Sequence, residues 1–134
     1  MFSLAYDKGH KVLQARFEGV LSSQDIEELD RSVIAFTARE GPTHGLVDFS
    51  AVELVAMPAS MLTQRSQQPP FSPGHKRVFV VSPPALELAR TFAGHQAAAG
   101  LGNVDIVTTL AEAYRILRLP KVPRFEAVDL RDLA

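Results

Sequence analysis

The sequence contains no cysteine. That excludes disulfides, thiolate metal sites and cysteine nucleophiles, and it fits a reducing, cytoplasmic setting. It also lacks any surplus of charge: fourteen Lys and Arg stand against fifteen Asp and Glu, for a formal net charge of −1. Such a balance gives no general attraction to nucleic acid or to an anionic membrane. No apolar run reaches the roughly eighteen residues that a membrane span requires. The opening stretch MFSLAYDKGHK has no basic region followed by an apolar run and a small-residue cleavage site, so it is not expected to be a signal peptide. Internal repeats and low-complexity segments are missing. So are GxGxxG, GxxxxGK[ST] and GxSxG, the usual signatures of nucleotide loops and of a hydrolase elbow. The histidines, His10, His44, His75 and His95, never fall at HxH, HxxxH or HExxH spacing. No metal site, cofactor or catalytic residue is expected.

What remains is a chain of 134 residues, 46% apolar and 22% charged. That is one globular domain with a core, and too short for two. Phe2, Leu4 and Tyr6 alternate with small or polar residues, as do Leu13, Ala15 and Phe17, and Asp7-Lys8-Gly9-His10 lies between them. The pattern predicts a β-hairpin. Ser22-Ser23-Gln24-Asp25 offers a helix start, and Ile26, Leu29, Val33 and Phe36 follow at helical spacing until Gly41-Pro42. Leu46 to Phe49, with Asp48 inside it, reads as a short strand, and Ser50 as part of the loop that follows. A helix is predicted from Pro58 to about Gln68, and QQPPFSPG as a loop.

Arg77 to Val81 reads as a central strand. Ser82 is expected to cap the next helix, which has Pro83 at its first turn and Gly100 at its stop. Val104 to Val107 is a further strand, and Thr109 to Glu112 a capping box opening a last helix. The order predicts an α/β fold: a mixed sheet of about five strands, antiparallel hairpin first and parallel βα units after, with about four helices. Residues 1–119 form the domain, and residues 120–134 a tail that packs on the domain or on a partner.

Four segments resemble the STAS domain family, in its SpoIIAA-like (STAS/SEC14-like) group. They are the hairpin leading into an SxxD-type helix start, the strand LVDFSAVE, and the units RVFVVSPPALELARTF and VDIVTTLAEAYRIL. The resemblance covers about Phe2 to Leu119. Anti-sigma-factor antagonists of that family carry an Asp-Ser-Ser-Gly-like stretch after this strand, where a kinase partner phosphorylates a serine. The matching residues here are Ala56-Met57-Pro58-Ala59, so the resemblance implies a domain without that switch. Ser60 is the nearest remaining serine, and its modification is not expected.

The candidate contact residues are Asp48, Ser50, Met57, Met61, Phe71, Ser82 and Phe92. Asp48 interrupts an apolar strand; it would either accept backbone N–H bonds from the next loop or face a ligand crevice at the strand end. Ser82 stands at a helix N-terminus, a possible anion position, although Pro83 and Pro84 remove N–H donors there. Met57, Met61 and Leu62, with Phe71 held among prolines, make an adaptable apolar surface or else cover the edge of the sheet. The leading expectation is a non-catalytic cytoplasmic interaction domain, a homodimer or bound to a protein partner. The alternative is a binder of a small apolar or anionic ligand between the 48–61 segment and the Ser82 helix start.

Overall fold

The structure is a computed structural model and describes residues 2–133. Strands β1 (Phe2–Asp7) and β2 (Val12–Ser22) are followed by helix α1 (Ser23–Glu40) and strand β3 (His44–Ala56). Helix α2 (Ala59–Ser66), strand β4 (Arg77–Val81), helix α3 (Pro83–Ala98) and strand β5 (Asp105–Val107) come next. Helix α4 (Leu110–Ile116), strand β6 (Glu126–Val128) and a 3-10 turn (Leu130–Leu133) complete the chain.

The sheet runs β5-β4-β3-β2-β1-β6. The β1–β2 hairpin is antiparallel, and β2, β3, β4 and β5 pair in parallel. This is the mixed α/β sheet expected, with one strand more: β6 pairs antiparallel with β1, so the tail covers what would be an open edge. Three residues are too few for alternation to reveal a strand.

Strand β3 is also longer than expected. Ser50 lies within it rather than in a loop, because β2 and β3 continue together as far as Ser22 and Ala56. Two register shifts bend the pair, one between Arg16 and Glu18, the other between Gly19 and Val20. Gly19 has φ +72, a value that costs glycine nothing. Beyond Phe49, β4 no longer pairs with β3. Ser82 Oγ meets this free edge instead, donating to the carbonyls of Phe49 (3.2 Å) and Val52 (3.0 Å). Ser82 occupies the N-cap position of α3, yet its side chain makes no capping bond there, contrary to expectation. Pro84 at the second helical position has no N–H to give such a cap, and the Ala85 N–H donates to the Ser82 carbonyl at 3.0 Å instead.

The helix starts otherwise follow their signals. Ser22 and Asp25 form a reciprocal capping box on α1. Thr109 Oγ1 accepts the Glu112 N–H at 3.2 Å on α4. Helix α2 begins at Ala59, with Pro58 as its N-cap, and ends at Ser66, two residues before the expected Gln68.

Alternation along the strands divides the sheet into two faces. Rows Leu13–Gly45–Arg77 and Ala15–Val47–Phe79–Ile106 are in register on one face. That face packs under α1 and α3, where Phe17, Phe49, Val52, Val81, Ala85 and Ala89 form a buried cluster. On it a row of aromatic rings runs Phe17–Phe49–Phe79–Phe92, with centroids 5.4, 5.5 and 5.7 Å apart. The opposite face carries Leu46, Val78, Val80 and Val107 against Ala113 and Leu117 at α4.

Candidate functional site

The helical face of the sheet is not fully packed. A pocket of about 170 Å³ lies between the sheet, α1, α2, the proline loop and α3. Its floor is Leu13, Ala15, Gly45, Val47 and Phe79; Ile26, Leu29 and Val33 of α1 and Phe92 of α3 form its walls. Met57, Met61 and Leu62 of the α2 segment and Phe71 of the proline loop cover it. The small residues of the floor account for the space. A Cβ added at Gly45 would meet no atom within 4 Å, and its φ lies outside the left-handed region. Glycine is thus not required there by the backbone. Within a strand, such a residue often marks the approach of a ligand or of another chain segment.

The cover is held by polar bonds at the C-terminal end of α2. Arg65 donates from Nε and Nη2 to Asp30 of α1, at 2.8 and 3.1 Å. Its guanidinium lies 5.1 Å from the Phe71 ring centroid and 5.8 Å from that of Phe92. Burial raises the pKa of the Asp30 carboxyl above its ordinary value, although the Arg65 bonds pull it down. At the same end, the fully buried Gln96 of α3 donates from Nε2 to the carbonyls of Ser66 and Gln68. Its Oε1 accepts from Arg77 Nη1 at 2.7 Å, and Arg77 Nη2 donates to the Leu101 carbonyl at 3.0 Å. Burial, and then the charge of Arg65, lower the Arg77 pKa. The buried hydroxyl of Ser72 accepts the Thr43 N–H at 3.1 Å and ties the proline loop to the start of β3.

The pocket brings together Met57, Met61, Phe71 and Phe92, four of the seven residues singled out from the sequence. The other three are elsewhere. Asp48 is fully buried on the opposite face of the sheet, in register between Arg16 and Val80. Its Oδ1 accepts the Ser50 N–H at 2.9 Å, the local backbone role considered for it. Its Oδ2 has no hydrogen-bond partner among the described residues; Arg16 Nη1 is 3.8 Å away. Tyr114 packs on the same face, and burial and then the Asp48 charge raise the pKa of its hydroxyl. Ser50 is exposed, and Ser82 is engaged by β3 carbonyls. Ser60 is exposed in the first turn of α2.

Sequence reasoning missed Gly45, Asp30, Arg65, Gln96 and Arg77. A signal existed for Arg65, which is four residues after Met61 and so shares its helical face. Asp30 likewise lies four residues after Ile26, at the edge of the inward stripe of α1. Gln96 follows Phe92 by the same step.

Among the described residues, no group of three or more His, Asp and Glu could hold a metal ion. No helix there is long and apolar enough to cross a membrane. Compared with models of known protein families and with curated proteins, the chain matches none.

Proposed function

We propose that this domain binds a small, largely apolar molecule in the pocket beneath α2 and carries out no chemistry on it. One observation supports this reading above others: an apolar space of about 170 Å³ persists where the sequence places Gly45 instead of a side chain. An apolar cavity of about 150 Å³ is enough to stay dry and take up benzene. The matching occupant is therefore one aromatic ring with a short extension, smaller than most drug-sized ligands. Six aromatic or thioether side chains, Phe49, Phe71, Phe79, Phe92, Met57 and Met61, supply adaptable contact. In this reading the chain is a SpoIIAA-like domain of the STAS type. The hairpin, the LVDFS strand and the RVFVV–helix unit support that assignment, and Met57, at the family's switch position, lines the pocket.

Calorimetric titration with indole and with toluene tests the proposal. Saturable binding at one site per chain is expected, in the micromolar to millimolar range. Absence of heat together with an unchanged unfolding midpoint at saturating ligand would rule it out.

A second reading, contact with a second copy or another protein, has its own support. Val20 and Leu54 are register partners at the bent end of β2 and β3, and they are 51% and 57% exposed. Paired apolar side chains on a strand pair with free edges resemble a docking surface. Sedimentation velocity at rising concentration is expected to show a dimer if the partner is a second copy. A monomer throughout would remove the homodimer.

A further inference from the structure

We propose that the ligand is a monoanionic amphiphile, an aryl or short-alkyl carboxylate, whose charged end lies against the guanidinium of Arg77. This rests on the pocket reading above and names its ligand class.

The charged residues lining the pocket are Arg65, Arg77 and Asp30. They do not cancel. Arg65 and Asp30 are bound to each other in a two-point bridge, and this leaves Arg77 as the excess charge. Among the described residues, Arg77 takes part in no ion pair. Its two hydrogen bonds go to the neutral acceptors Gln96 Oε1 and the Leu101 carbonyl, and other N–H donors of its fork remain. Removing a cation from water without a counter-ion is costly, and an arriving anion offsets that cost.

The floor leaves room for one. Gly45 and Arg77 are register partners on the pocket face, so the missing side chain leaves space beside the Arg77 stem, and the guanidinium extends past it to Gln96 and Leu101. The adjoining row, Val47 and Phe79, is apolar and takes the body of the ligand. A carboxylate matches this arrangement better than a phosphate monoester. Its planar pair of oxygens suits the guanidinium fork, and its single charge equals the single excess charge of the pocket. A cationic ligand would meet two guanidiniums.

The test is calorimetric titration of the full chain with 3-phenylpropanoate, 3-phenylpropan-1-ol and 3-phenylpropylamine, which share one apolar body. Wild type is expected to bind the acid about tenfold or more tightly than the alcohol, and the amine most weakly. Arg77→Gln should bring the acid-to-alcohol ratio to about one, and Arg77→Lys should keep most of the preference. If wild type binds none of the three, the anion inference is overturned, and the pocket reading fails with it if indole does not bind either. If wild type binds acid and alcohol equally, the pocket reading stands and the anion inference is overturned. A preference that survives in Arg77→Gln would also overturn it. If Arg77→Gln does not fold, as judged by circular dichroism, Arg77→Ala is read in its place, and the wild-type series alone decides whether the ligand is anionic.

Discussion

Gly45→Val is expected to raise the unfolding midpoint and to weaken binding of indole by about tenfold or more. Both effects come from one change. Glycine within a strand costs roughly 0.5–1 kcal/mol relative to alanine, because the unfolded chain has more freedom to lose. A Cβ at this position meets no atom within 4 Å and requires no change of φ. The methyl groups of valine then enter the pocket, where each buried carbon contributes about 0.8 kcal/mol. The same atoms occupy the space that a ligand would fill. Urea denaturation with calorimetry on the same variant measures both. A loss of stability would show that the space above Gly45 is already filled. Unchanged affinity at raised stability would put the binding site elsewhere.

Gln96→Leu is expected to cost about 2–4 kcal/mol and to release the C-terminal end of α2. Gln96 is fully buried and joins three elements: it donates to the carbonyls of Ser66 and Gln68 and accepts from Arg77. Leucine has a similar volume, so the loss measures hydrogen bonds rather than a cavity. The buried carbonyl acceptors and the Arg77 N–H group lose their partner together. Helix α2 is then held by the Arg65–Asp30 bridge and by the side chains over the pocket. Hydrogen exchange should accelerate across Ala59–Ser66 while the β2 and β3 amides stay protected. A cost under about 1 kcal/mol with unchanged exchange would show that α2 does not depend on this network.

Much of the fold was legible because it follows from periodicity and end signals. Leu13, Ala15 and Phe17 do share a buried face, and Ser22 with Asp25 does open α1. The valine-rich run does lie between two other strands and is covered on both faces. The bent extension of β3 was less visible. Its polar residues Ser50 and Glu53 look like loop, and the bulge depends on Gly19 in another strand. The site was legible only in part. Met57, Met61 and Phe71 stood out as an apolar group, but an unfilled space leaves no mark in a hydrophobic pattern. Strict alternation would have separated Asp48 from Val47 and Phe49, since neighbours in a strand point to opposite faces. The charged residues of the pocket, Asp30, Arg65 and Arg77, come from three elements and converge only in the folded chain.

The central claim is that the space beneath α2 is a binding site. Its most direct test is an isotope-filtered NMR experiment on labelled protein with an unlabelled small aromatic ligand. The account predicts intermolecular contacts from the ligand to Val47, Met61 and Phe79, with none in Gly45→Val. Contacts confined to the exposed Val20 and Leu54 side chains, or no contacts at saturating ligand, would contradict it.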